Sequence, residues 1–165
     1  MVWNMSHKNI DWYYKGIDKP KDYQFRAYDL NEVKITAAQF APNSTDLKLK
    51  EYTHGYDTVN KKNEILLNVW GYDPQWKINV SENGVPLKVT RVRAYDPLHI
   101  VSYAAMRLND NVTPSKGFLT SPSSHFFKAT ATSANSTLTI KVTDRFGKTY
   151  EESMVRPKKF STKMM

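Results

Sequence analysis

The run Glu64-Ile65-Leu66-Leu67-Asn68-Val69-Trp70 places apolar side chains at successive positions, so an extended chain here shows them on both of its faces. A strand of that kind belongs at the buried centre of a sheet. The segments around it are patterned differently. Gln75 to Val80 sets Trp76, Ile78 and Val80 on one face and polar residues on the other, and Asp22 to Tyr28 alternates strictly. Leu138, Ile140 and Val142 alternate with Thr139, Lys141 and Thr143. Ile10 to Gly16, rich in aromatics, and His125 to Ala129 also suit strands.

Turn chemistry separates these runs. Asn83-Gly84 is the strongest short hairpin signal, because both turn positions must accept positive φ. Asp144-Arg145-Phe146-Gly147 turns the last hairpin into Lys148 to Glu151. The strand returning from Asn83-Gly84, Pro86 to Ala94, shifts its apolar phase between Leu87/Val89 and Val92/Ala94, which predicts a bulge or a change of face. One segment reads as a helix: Asp96 to Met106, with Asp96 as N-cap and Pro97 at the first helical position. About seven or more short strands with turn residues between them predict a mainly β chain. The expected fold is an antiparallel β-sandwich, immunoglobulin-like, with at most one short helix. Residues 29 to 63 read as a long, loosely structured connection in which Asp46 to Glu51 forms a further short strand. Residues 1–9 are expected to be a disordered or linker N-terminus, 10–155 the sandwich domain, and 156–165 a flexible basic tail.

Several function classes fall away on composition. The net charge of +8 suggests nucleic acid, but the lysines and arginines are scattered singly and cluster only at Arg156, Lys158 and Lys159. No nucleic-acid partner is expected. The longest apolar run, Ile65 to Leu67, is far short of a membrane span, and Met1 to Lys8 lacks the pattern of a signal peptide. With no cysteine, there is no disulfide framework, thiolate zinc site or cysteine nucleophile.

Phosphate ester hydrolysis on two metals needs several Asp, His and Asn side chains brought together in recognisable patterns. His7, His54, His99 and His125 are isolated in sequence, and none stands in an Asp-x-His or Gly-Asn-His pattern. Ser121 to Ser124 beside His125 reads as a turn before a strand, and there is no Gly-x-Ser-x-Gly elbow or phosphate-cradling glycine loop. No catalytic, metal-binding or cofactor-binding residue is therefore assigned. Trp70, Tyr72 and Trp76 lie close in sequence and, if exposed together, could stack sugars or bases. The alternative, that the tryptophans fill the core, is preferred because large aromatics are buried on average. With His125, these three make up the speculative ligand-binding or interdomain surface.

Four strings, in order and spacing, resemble the C-terminal domain of calcineurin-like metallophosphoesterases from Bacteroides-type bacteria. They are Asn68 to Ile78, Tyr95 to Leu98, Ser124 to Ala129 and Val142 to Tyr150; Trp12 to Gly16 and Tyr23 to Tyr28 resemble the entry into that domain. The resemblance implies a non-catalytic accessory domain that packs beside a catalytic domain of the same parent chain or shapes access to it. The parent would be a hydrolase in the periplasm or at the cell surface. Divalent metals are expected in that catalytic domain and none in this chain. The alternative function is an autonomous carbohydrate or cell-surface binding module with a glycan as partner.

Overall fold

The computed structural model describes residues 2–6, 9–15, 19–60 and 62–164. Ten strands are present among them: β1 (Val2–Ser6), β2 (Asn9–Tyr13), β3 (Phe25–Asp29), β4 (Glu64–Val69), β5 (Lys77–Glu82), β6 (Val85–Pro86), β7 (Thr90–Ala94), β8 (Ser123–Thr130), β9 (Leu138–Thr143) and β10 (Thr149–Met154). They form two four-stranded antiparallel sheets, ordered β3-β4-β8-β7 and β10-β9-β5-β6, and a β1-β2 hairpin. The expected antiparallel sandwich is present, but with several short helical segments where at most one was expected. Residues 2–6, expected to be linker, instead pair in strand with 9–13.

β4 lies inside its sheet between β3 and β8, and both of its faces are covered. Ile65, Leu67 and Val69 join Phe25, Ala27, Phe127 and Ala129 in the core between the sheets, opposite Val80, Leu138, Ile140, Val142 and Tyr150. Leu66 points the other way, with Tyr28 and Phe126, into a second core built with Leu30, Val33, Ile35, Leu49, Ile100 and Val101. That second layer is helical: α1 (Ala37–Phe40), α2 (Asp46–Thr53), α3 (Pro97–His99), a π-helical segment (Ile100–Ala105) and α4 (Met106–Asn109).

The reading of residues 29–63 as a loose connection, with a strand at Asp46 to Glu51, is thus corrected. Asp46–Thr53 is a helix with Thr45 as N-cap, its side chain accepting from the Lys48 amide at 3.3 Å, and His54 closes it in the left-handed conformation at φ 51°. Asp46 also accepts from the Ala37 amide at 2.6 Å, joining α2 to α1. The apolar residues in this segment are few and widely spaced, which hides their helical period. Leu47 is exposed while Leu49 is buried, so α2 contributes one principal apolar anchor rather than a stripe.

The shift of phase in Pro86 to Ala94 is a change of sheet. β6 pairs with β5 in one sheet, and β7 pairs with β8 in the other, with an irregular register between Val92 and Ala94. Asn83 and Gly84 both have positive φ, at 51° and 82°, as their hairpin requires.

Arg156 and Phe160, in the segment expected to be a flexible basic tail, are packed instead. Arg156 and Asp29 are both fully buried, and the guanidinium donates from Nε and Nη2 to the two Asp29 carboxylate oxygens at 3.1 Å each. Arg156 Nη1 donates to the Ser133 carbonyl at 2.6 Å, while Asp29 also accepts from the Asn31 and Lys158 amides. Phe160 then enters the helical core against Tyr28 and Phe40, at ring separations of 6.1 and 5.5 Å. Composition alone made this segment look solvated; the charge is held because a counter-charge and backbone groups satisfy it. We expect Arg156→Ala to cost about 3–5 kcal/mol in urea unfolding, because it strands the Asp29 carboxylate in the interior.

Glu82, at the end of β5, organises the turn before β9. Its carboxylate accepts from the Thr132 and Ser133 amides at 2.8 and 3.3 Å. Ser136 foremost, with these amides, holds the carboxyl down at about 2, below its ordinary 4.5. The folded value is the depressed one, so the contribution of Glu82 to stability is complete above pH 4.5 and is lost as the pH falls towards 2. Between about pH 5 and pH 2 the Tm of the protein should fall more steeply than that of the Glu82→Gln variant.

Candidate functional site

A line of polar residues crosses the outer face of the β3-β4-β8-β7 sheet, where the helical layer ends. β3 alternates, so Arg26 and Tyr28 leave the strand on the face opposite Phe25 and Ala27. Asn68 occupies the same face of β4, directly paired with Arg26 in the register. Asp96 comes down onto them as the N-cap of α3. Its Oδ1 accepts from the Leu98 amide at 3.0 Å and from the Tyr28 hydroxyl at 2.6 Å, and its Oδ2 from the Asn68 amide group at 2.8 Å. The cap therefore serves the helix start and the sheet together. Burial, reinforced by Asp96, drives the Tyr28 phenol far above its ordinary pKa; Tyr56, which donates to the Tyr95 carbonyl at 3.0 Å, is raised for the same reasons. Both remain neutral donors.

Arg26 continues the line outward. It donates from Nε to the Tyr23 hydroxyl at 2.9 Å and from Nη1 to the Tyr28 hydroxyl at 3.2 Å, and its guanidinium lies 5.5 Å from the Trp70 ring centroid. Burial works against its charge, but the phenol oxygens of Tyr28 and Tyr23 outweigh that and hold its pKa above the ordinary value. No carboxylate among the described residues is within ion-pair distance of it.

Trp70, Tyr72 and Trp76 occupy three different environments. Trp70 is half-buried and packs on Tyr23 at 4.7 Å. Tyr72 is half-buried against the sandwich core, edge-on to Phe127 at 4.8 Å, with the Arg91 guanidinium 4.7 Å from its ring. Trp76 is only 8% exposed and belongs to the core between the sheets. His125 is half-buried, stacks on Phe126 at 5.1 Å and has no hydrogen-bond partner at Nδ1 among the described residues. Burial lowers its pKa despite the pull of Asp96, leaving a neutral imidazole at pH 7. Of the four, Trp70 borders the Arg26 line directly, and His125 comes near enough to feel the Asp96 charge.

The other histidines stand apart. His54 lies flat on Tyr95 at 3.7 Å, and His99 bonds Thr120 at 2.6 Å; His7 lies outside the described residues. Among the described residues no group of three or more His, Cys, Asp or Glu is placed to hold a metal ion. The dispersed donors do not fit the two-metal centre of a phosphoesterase.

A family model described as the C terminal of calcineurin-like phosphoesterase matches residues 1–150. The chain belongs to that family. No curated protein and no solved structure gives a significant match. The four strings noted in the sequence take structural roles in this phosphoesterase C-terminal domain, Val142 to Tyr150 forming the end of β9, its turn and the start of β10. Tyr95 to Leu98 supplies the Asp96 cap, Asn68 to Ile78 the second strand of the polar line and the turn into β5, and Ser124 to Ala129 the strand β8.

Sequence reasoning did not find Arg26 or Tyr28 as members of a site. The available signal was a charged residue two positions before a tyrosine in a buried alternating strand, with Asn68 inside a doubly apolar one. Asp96→Ala removes a helix cap and leaves the buried Tyr28 O–H without an acceptor, so it should cost about 2–4 kcal/mol by urea denaturation. Asp96→Asn, which keeps an acceptor for both, should lose much less.

Proposed function

We propose that this domain is the non-catalytic accessory part of a metal-dependent phosphohydrolase, and that it packs against the catalytic domain of its parent chain and shapes access to it. The family match over residues 1–150 carries this reading. The metals would sit in the catalytic domain. The periplasm or the cell surface is the location the family resemblance implies.

Two features support a packing role. The β1-β2 hairpin is clamped to the end of the sandwich: Trp12 meets Phe146 of the β9-β10 turn and Tyr14 edge-on, each at 6.1 Å. Gly71 has φ +67°, and a Cβ there would collide with the Tyr14 ring. In a parent whose catalytic domain precedes this one, a hairpin fixed in this way transmits a defined orientation rather than a loose tether. The second feature is an apolar face on the helical layer. Phe118 is 67% exposed and Met106 52% exposed, and Tyr103, one turn before Met106, contacts Phe118 at 5.9 Å. Grouped exposed apolar side chains mark interaction surfaces, and we assign this one to the catalytic domain.

A carbohydrate module built on Trp70, Tyr72 and Trp76 would need them together on an open face. Burial of Trp76 removes one of the three, so that reading is not advanced.

Removing this domain from the full-length parent should lower the Tm of the catalytic domain or change its KM for phosphate esters. In the intact parent, Phe118→Ser with Met106→Ser should reproduce part of that change while the far-UV spectrum and unfolding of this domain stay unaltered. Unchanged Tm, kcat and KM after deletion would remove the accessory role.

A further inference from the structure

Arg26 is a charge in search of an anion. A guanidinium has five N–H donors. Two of them are used, on the neutral hydroxyls of Tyr23 and Tyr28; the guanidinium also faces the Trp70 and Tyr23 rings at 5.5 and 5.8 Å, but no further hydrogen-bond or ion-pair partner is present among the described residues. Desolvating a cation without a counter-charge is costly, and elsewhere in this domain the buried cation Arg156 is matched by the Asp29 carboxylate. Arg26 instead lines an open groove of about 430 Å³ between the segment before β3 and the C-terminal residues.

The other walls of that groove are Lys19, Pro20, Tyr23, Lys158, Lys163 and Glu152. Glu152 is taken by Lys158 at 2.6 Å, so this pair is close to neutral. Lys19 lies 5.5 Å from the Tyr23 ring centroid, with no carboxylate partner among the described residues. What remains is a half-buried arginine fork flanked by Lys19 and Lys163, floored by the Tyr23 ring with Trp70 packed against it. Spare arginine donors side by side suit a tetrahedral oxyanion, two of whose oxygens can be held at once, and the lysines suit its second charge.

We propose that this groove is a binding site for a phosphoryl group, with Arg26 as the principal contact and Lys19 and Lys163 completing the charge. A phosphate monoester free in solution and the terminal phosphate of a lipid headgroup present the same dianion. The site goes beyond the accessory role and does not depend on it, since the binding is read on this chain alone.

The test is titration of the full chain with pyrophosphate and with glycerol 3-phosphate, followed by tryptophan fluorescence and calorimetry at physiological ionic strength. Sedimentation with vesicles of phosphatidylcholine containing phosphatidic acid forms a second arm. Saturable one-to-one binding is expected, weakened roughly ten- to hundredfold in Arg26→Gln, because hydrogen bonds to a charged group are lost. Arg26→Lys should recover only part of it. The Lys19→Ala, Lys163→Ala double variant, which touches no core residue, should also weaken binding, whereas Lys77→Ala, on an exposed position of β5, should not. Binding of the soluble probes alone, or of the vesicles alone, identifies the source of the phosphoryl group. Absence of saturable binding to every probe overturns the proposal, as does an equal loss in the Lys77→Ala variant or unchanged affinity in both the folded Arg26→Gln and the double lysine variant.

Discussion

A sheet that is apolar on both sides cannot stand at the surface, and β4 makes the β3-β4-β8-β7 sheet one of that kind. Ile65, Leu67 and Val69 require the second sheet, and Leu66, with Tyr28 and Phe126 on the neighbouring strands, requires something on the other side. The helical segments from α1 to α4 exist to meet that second demand. Their own propensity is modest, since α1 and α2 are short and the continuous run from Pro97 to Asn109 includes a π-helical stretch, and burial against the sheet supplies most of their stability. The domain is therefore three layers deep, and the middle layer sets the positions of the other two.

The buried carboxylates Asp29 and Asp96 have their partners close by. Asp29 and Arg156 meet bidentately, and Asp96 joins a helix start to two strands. Against that background, Arg26 differs: it is half-buried and keeps free donors. The candidate site and the scaffold thus share one line of side chains, from Asp96 through Tyr28 to Arg26, whose inner end fixes the fold and whose outer end faces solvent.

Strands were legible from the sequence because period two is a short-range signal and the turns carry strong chemistry. The Asn83-Gly84 hairpin, the β9-β10 pair and the central position of β4 were all read correctly. The start of the helix at Asp96 was legible too, since cap and proline are local. What failed was whatever depends on distant partners. α1 and α2 have too few apolar residues to show a period. Nothing near Arg156 in sequence hints at Asp29, so a basic terminus looked like a tail. Trp76 fitted both core and platform on paper, because exposure depends on the opposing sheet. The line through Arg26 was hidden for the same reason, each member coming from a different element.

The pairing of Asp29 with Arg156 spans 127 residues of chain. A polypeptide leaves the ribosome from its N-terminal end, so every strand of both sheets emerges before the guanidinium that neutralises Asp29. Until then the nascent domain holds an uncompensated carboxylate at the end of β3 and lacks the Phe160 ring on its helical side. Its final consolidation waits for the segment after β10, and a nascent chain stalled before Arg156 would leave Asp29 without its counter-charge.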